Sequence, residues 1–403
     1  MAVIRPFRAV RPDPAAAHRV AAVPYDVVDA EDARALAAGN PSSFLHVSRA
    51  EIDLPPGTDP HGDIVYRTAA SRYRALKRDA PFVEDAEPTL YLYHLDADGH
   101  GQTGVAACYS LAEYDSGVIK KHERTRKDKE DDRTRHIVEL RAQTGPVFLA
   151  HRPNTQVDEL ARRMRSTRDP VVDFTALDGV RHAIWKVDAP LVPAFVDAFK
   201  AVDALYIADG HHRAASAARA REAVRDSDEA RFFLAVAFPS DQLRILPYNR
   251  VVRDLNGMTP EHFLGEVART FAMTAGPATP SEKGEVSMYV AGAWHTVDLE
   301  SAGVSGGRVV ETLDGNVLQE RLLKPILGIQ DVRTDTRIDF VGGAKGTHTL
   351  EQLVDSGRMA VAFSMYPVSL VQLMEVSDEG DIMPPKSTWF EPKLRDGLLI
   401  HEI

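Results

Sequence analysis

Cysteine is nearly absent: the 403 residues contain one, Cys108, so no intramolecular disulfide framework can form and a reducing setting, the cytoplasm, is expected. Flanked by Ala107 and Tyr109 in a strand-like run, Cys108 reads as a core residue rather than a nucleophile. No apolar run reaches the roughly 18 residues of a membrane span, and Met1 to Val10, carrying Arg5 and Arg8, lacks the apolar stretch of a secretion signal. Neither membrane insertion nor secretion is expected. A basic surplus is missing too: the formal net charge of -11 argues against a protein whose main task is to hold duplex DNA, although it leaves room for a local phosphate site. There is no Gly-x-Ser-x-Gly elbow, no His-Glu-x-x-His pair, no aromatic and basic strand of the RNA-binding sort, and no internal repeat. What is present is a chain 44% hydrophobic and long enough for two or three domains.

The pattern of elements predicts an α+β fold, mixed sheets with flanking helices. Helices are expected at Glu31 to Ala38, at Ile64 to Asp79 with Pro81 as the stop, at Gln156 to Arg165 and at Pro193 to Val202. Strands are expected at Phe44 to Val47, Thr144 to His151 and Ala183 to Val187, and Thr89 to Leu95 with Thr103 to Leu111 reads as a hairpin turning at Ala97 to Gly101. Arg231 to Phe238 and Leu243 to Pro247 read as a strand pair around Pro239-Ser240-Asp241. A boundary near Leu255-Asn256-Gly257 divides the chain into 1–255 and 256–403. In the second part, Thr259-Pro260 starts a helix, Val286 to Val290 and Trp294 to Leu299 form a hairpin, and Val310 to Leu323 has a buried-helix pattern. Arg337 to Val341, Leu350 to Asp355, Met359 to Phe363 and Ser369 to Val376 continue as strand, helix, strand, helix.

One junction carries chemistry. The apolar run Ala204 to Ala208 enters Asp209-Gly210-His211-His212-Arg213 and then an alanine-rich helix, so charged groups meet a helix start. Free backbone N–H groups and the positive end of the helix dipole suit phosphate there, with Gly210 allowing close approach and Arg213 adding a cation. The same pentapeptide also describes an ordinary capped helix with two surface histidines. Lys120 to His136 is almost wholly polar, which reads either as a solvated helix face or as a phosphate-facing segment in which Arg124, Lys127 and Arg133 meet polyphosphate and Glu123 does acid–base work. Val23 to Val28 reads as a loop whose Tyr25 and Asp26 offer polar tips. Met383 to Lys393 joins prolines to Lys386, Ser387 and Thr388, and is either a phosphate-facing loop or a tail pinned by Trp389 and Phe390. The glycine-rich turn Gly342 to Gly346 lacks the spacing of a P-loop or of a dinucleotide fingerprint.

Pro24-Tyr25-Asp26-Val27-Val28, Lys121-His122-Glu123-Arg124-Thr125, Asp209-Gly210-His211-His212-Arg213, Asp339-Phe340-Val341-Gly342-Gly343 and Met383-Pro384-Pro385-Lys386-Ser387-Thr388 together resemble a bacterial and archaeal domain-of-unknown-function family described as ParB-like. The Asp-Gly-His-His-Arg element also resembles that of the free-serine kinases of the ParB and sulfiredoxin-like fold. That resemblance implies a nucleotide-binding core, ATP or ADP as phosphoryl donor, Mg²⁺ carried with the nucleotide, and a hydroxylated acceptor, foremost free L-serine giving O-phosphoserine. In those kinases the motif aspartate and a separate glutamate are the catalytic carboxylates; Asp209 matches the first, and Glu123 is assigned to the second from its place in the charged segment. Gly210, His211, His212, Arg213, Arg124, Thr125, Arg133, Lys386, Ser387 and Thr388 are then expected at the nucleotide phosphates, and Tyr25 and Asp26 at the acceptor. The alternative is a nucleotide-gated regulatory or adaptor protein. No helix-turn-helix module accompanies these motifs, so DNA is not an expected partner, and the oligomeric state is left open.

Overall fold

The computed structural model describes residues 1–80, 82–303 and 307–403; the helix stop expected at Pro81 lies outside them. The chain forms two compact units, Met1–Leu243 with Pro392–Ile403, and Arg244–Glu391. The division at 243/244 differs from the one expected at 255/256, because the strand Tyr248–Val252 pairs with Ile338–Gly342 and Val361–Met365, and because the last twelve residues return to the first unit.

The first unit is built on a nine-stranded mixed sheet. Its strands are β1 (Ile4–Arg5), β2 (Tyr91–Ala97), β3 (His100–Ser110), β4 (Ile119–Lys120), β5 (Val147–His151), β6 (Val172–Thr175), β7 (Arg181–Lys186), β8 (Leu205–Asp209) and β9 (Phe232–Pro239), in the order β4-β8-β5-β9-β3-β2-β7-β6, with β1 against β3. The β8–β4 and β9–β5 pairs are parallel. The β2–β3 hairpin turns at Asp98 and Gly99, both at positive φ, the geometry of a two-residue turn whose twist matches that of the strands. Cys108 lies in β3 and is fully buried. Helix α1 (Asp63–Asp79) packs against α2 (Lys127–Leu140), and α2, α3 (Thr155–Thr167), α4 (Val192–Phe199) and α5 (His211–Ala223) flank the sheet. Leu149, Ile207, Phe195, Phe199, Phe233 and Ala214 pack into one core, which fixes the β8-to-α5 junction from beneath.

Two expectations fail here. Phe44 to Val47 is not a strand: Leu45–Ser48 is one helical turn, with Phe44, Leu45 and Val47 all buried, and so short an apolar run carries no period that separates the two states. Phe232–Pro239 does not pair with the segment after it, since its edges are taken by β3 and β5, while Ile245–Leu246 pairs with Trp389–Phe390.

The second unit has a six-stranded antiparallel sheet: β10 (Tyr248–Val252), β11 (Ala272–Ala275), β12 (Glu285–Val290), β13 (Ala293–Asp298), β14 (Ile338–Gly342) and β15 (Val361–Met365), ordered β11-β13-β12-β15-β10-β14. Thr259 caps α6 (Pro260–Thr270) by accepting from the His262 N–H at 3.3 Å. Helices α7 (Gly346–Asp355) and α8 (Leu370–Asp378) follow, the latter entered through a Ser369/Gln372 capping box. The helix expected over Val310 to Leu323 is broken instead into a 3-10 turn (Val309–Thr312), a short α turn (Asp314–Leu318) and a π turn (Gln319–Leu323). Leu318, Leu322 and Leu323 still reach the core with Phe263 and Phe363, so the apolar pattern reported burial rather than a regular period.

Candidate active site

Strand β8 is apolar and buried up to Asp209, and Gly210 then turns the chain with φ +93° into α5, which no side chain caps. The turn requires glycine twice over: the left-handed backbone disfavours other residues, and a Cβ would lie 2.9 Å from Arg213 Nε. Asp209 and Arg213 close back on each other one helical turn apart, with Arg213 Nη2 donating to Asp209 Oδ2 at 2.9 Å. Arg213 Nη1 donates to the carbonyl of Pro146. On the other side of Asp209, Lys393 Nζ lies 3.5 Å from Oδ1. Burial by itself would push the Asp209 carboxyl up, but Lys393 and Arg213 outweigh it and hold the group ionised at about 2.

The two histidines act as clamps for the polar segment. His211 Nε2 accepts from the backbone N–H of His122 at 3.4 Å, and His212 Nε2 accepts from the backbone N–H of Arg126 at 3.0 Å. Glu123, Arg124 and Thr125 lie between those two fixed points, beside the start of α5. With Nε2 accepting, the proton of neutral His211 sits on Nδ1, which is 3.7 Å from Glu123 Oε2. Burial, reinforced by His122, lowers the His211 pKa well below its ordinary value, so the ring stays neutral. Burial likewise lowers His122 to about 4. Helix α2 packs along α5, with Ser216 Oγ donating to the Glu130 carbonyl at 3.2 Å and the Thr125 hydroxyl donating to Glu130. Arg124 is exposed and makes no hydrogen bond or ion pair among the described residues.

A cleft enclosing about 470 Å³ of space, part of it open to solvent, adjoins this junction. Tyr25, Arg133, Gly145, Arg213 and Asp396 are among the residues that line it. The Arg133 guanidinium stacks over Tyr25 at 4.2 Å and donates to Asp132 at 2.8 Å. Asp26 is exposed beside Tyr25, and its charge acts on Arg213, His212 and Asp396. Asp396 is buried, its Oδ1 has no hydrogen-bond partner among the described residues, and burial together with Asp26 raises it to about 7 against the pull of Arg213 and Arg133. Gly145 makes room for it: a Cβ there would lie 2.3 Å from Asp396 Oδ1.

Thus Asp209, Gly210, His211, His212, Arg213, Glu123, Arg124, Thr125, Arg133, Tyr25 and Asp26 all belong to the first unit. Lys386, Ser387 and Thr388 belong to the second, where Lys386 takes a positive φ, its Nζ lies 5.3 Å from the Tyr248 ring, and Ser387 Oγ donates to the Pro384 carbonyl at 2.6 Å. Residue patterns did not single out His122, Lys393 or Asp396. Lys393 closes the same proline-rich stretch that drew attention to Lys386, and Asp396 sits in a segment with no motif at all. Among the described residues no group of three or more His, Cys, Asp or Glu converges as a metal site, and no helix is long and apolar enough to cross a membrane.

The chain belongs to the family described as "Protein of unknown function (DUF1015)", which it matches over residues 4–316. Similar solved structures include SbnI with C-terminal truncation from Staphylococcus aureus (TM-score 0.40, 13% identity, 73% of this chain and 87% of that one). A free serine kinase in complex with AMP is similar at TM-score 0.36 and 14% identity, over 73% of this chain and 92% of that one. A conserved hypothetical protein from Pyrococcus furiosus is similar at TM-score 0.36 and 13% identity, over 74% and 95%. No curated protein matches the chain.

Proposed function

We propose that the protein is a phosphotransferase that moves a phosphoryl group from ATP or ADP to the hydroxyl of a small metabolite, foremost free L-serine. The observation that carries this reading is the joint at the start of α5: an uncapped helix N-terminus behind Gly210, with Glu123 held beside it through the His122–His211 contact. The motif's resemblance to the free-serine kinases supplies the acceptor, and the ParB/sulfiredoxin-like core is part of the same proposal. In this reading the N-terminal turn of α5 and Arg124 bind the phosphates, and Tyr25, Asp26, Arg133 and Asp396 form the acceptor cleft.

The two carboxylates then take different roles. Asp209, held at about 2 by two cations, is too weak a base to take a hydroxyl proton and instead fixes Lys393 and Arg213 in place. Glu123 is the base: its side chain is 41% exposed and His211 orients it. The acceptor O–H proton passes to Glu123, the acceptor oxygen bonds to the terminal phosphorus, and the P–O bond to the rest of the nucleotide breaks, leaving the nucleotide shorter by one phosphate. The residues present do not fit a Mg²⁺ ion held by protein carboxylates, since Arg213 and Lys393 take both Asp209 oxygens and Glu123 serves as the base; a Mg²⁺ ion would arrive with the nucleotide, on phosphate oxygens and water. When bound it neutralises phosphate charge.

The test is incubation of purified protein with ATP or ADP, Mg²⁺ and a panel of hydroxylated metabolites, with products read by ³¹P NMR. A phosphate ester of one acceptor supports the transferase. Tight nucleotide binding without ester favours the adaptor reading, for which the saturated ion pairs of Asp209 are the supporting observation.

A further inference from the structure

The second unit contains a cleft of its own, about 390 Å³ of space partly open to solvent, lined by Arg250, Asp314, Lys283, Gly315, Tyr366 and Ser387 among others. Arg250 on β10 is 5% exposed. Its Nη1 donates to the Tyr248 carbonyl and its guanidinium lies 5.8 Å from the Phe340 ring. Among the described residues it makes no carboxylate ion pair, and Nε and Nη2 make no hydrogen bond. Room for the guanidinium comes from Gly315, where a Cβ would lie 2.7 Å from Nη2.

Asp314 lines the same cleft and is 8% exposed. Both its oxygens lie 3.2 Å from the N–H of Gly284, which takes a φ of +90°. It makes no ion pair among the described residues. Burial raises Asp314 to about 6, and burial lowers Arg250 to about 10 against the attraction of Asp314. Each charge is thus desolvated and each feels the other, yet they do not close into a salt bridge. Each keeps a backbone hydrogen bond but neither has a counter-ion in contact among the described residues, so a fold that holds two opposite charges apart in one cleft leaves a complementary pair of places to fill. An inorganic anion would satisfy Arg250 and repel Asp314; a cation would do the reverse. A ligand with both charges satisfies both.

We infer that this cleft binds a small zwitterion, its carboxylate forked on the Arg250 guanidinium and its ammonium on Asp314, with Lys283 at the exposed rim drawing the carboxylate in. The class is that of amino acids, α or ω, with a side chain small enough for the cleft. The site is independent of the transferase reading, since Arg250, Asp314 and Lys283 have no part in that chemistry.

The test is isothermal titration calorimetry on the full-length protein without nucleotide. The probes are the standard L-α-amino acids, β-alanine and γ-aminobutyrate, each against its monocarboxylate and alkylamine counterparts, with inorganic phosphate as the anion control. At least one zwitterion should bind 10-fold or more tightly than either of its halves. Asp314→Asn should lower that affinity at least 10-fold while the monocarboxylate, relieved of repulsion, binds as tightly or more tightly, and Arg250→Lys, which keeps the charge but loses the fork, should weaken both. The titration contains no nucleotide and its deciding variants, Asp314→Asn and Arg250→Lys, lie outside the transferase machinery, so failure of the transferase reading leaves this result untouched. The inference is overturned if no zwitterion exceeds its halves, if phosphate binds as tightly as the best zwitterion, or if Asp314→Asn leaves zwitterion affinity unchanged.

Discussion

Replacing Asp209 by Asn removes a negative charge that Lys393 and Arg213 both contact, and its effect on stability can be worked out from the structure. The folded carboxyl stands at about 2 against an ordinary value of 3.8. A folded pKa below the unfolded one means that the charged form stabilises the fold at pH values above 3.8, and that this contribution disappears as the pH falls through 2. A lowering of this size is worth on the order of 2 kcal/mol when complete. Asn mimics the neutral acid, so Asp209→Asn should be less stable than the unmodified protein by on the order of 2 kcal/mol at pH 7, by clearly less at pH 3, and by little at pH 2. Trp185 is the tryptophan of the first unit. Urea denaturation followed by its fluorescence, in a background with Trp294→Phe and Trp389→Phe, measures that difference for the unit concerned. A difference that stays constant between pH 7 and pH 3, or that is absent at pH 7, would refute the assignment of Asp209 as the ionised partner of two cations.

Glu123→Gln should lower kcat for phosphoryl transfer by on the order of 10²- to 10⁴-fold, with stability changed by less than about 0.5 kcal/mol because the side chain is half-exposed; parallel turnover and denaturation curves check both. Gly210→Ala forces a side chain into a left-handed turn and against Arg213, and should cost about 1–2 kcal/mol in urea denaturation. Asp396 runs opposite to Asp209: its folded pKa is raised to about 7, so the stability it lends is full below 3.8 and is lost as the pH rises through 7. Asp396→Asn should therefore raise the free energy of unfolding at pH 8, by at most roughly 4 kcal/mol, and leave it little changed at pH 4, as urea denaturation would read.

What the sequence made legible was local. Ala204 to Arg213 reads as strand, turn and helix because an apolar run, a glycine and an alanine-rich stretch follow one another, and each element depends on its neighbours in the chain. The hairpins at Asp98-Gly99 and Ala291-Gly292, and the cap at Thr259, were readable for the same reason. The roles of His211 and His212 were not, because both are set by backbone N–H groups 86 and 89 positions away. Lys393 and Asp396 escaped notice because they come from the far end of the chain, beyond the second unit, and no spacing rule links them to Asp209 or Gly145. Val310 to Leu323 shows the converse error: leucines that face the core through a 3-10 turn, an α turn and a π turn mimic the spacing of one regular helix.

The central claim is that Glu123, held at the start of α5 by His211, takes the proton of an acceptor hydroxyl during phosphoryl transfer. The most direct measurement is ³¹P NMR of the reaction with ATP or ADP, Mg²⁺ and L-serine, run with the unmodified protein and with Glu123→Gln. The account predicts accumulation of O-phosphoserine, or of the phosphate ester of another hydroxylated metabolite in the panel, that falls at least 100-fold in the variant. Nucleotide binding with no ester from any acceptor, or ester formed equally fast by Glu123→Gln, would contradict it.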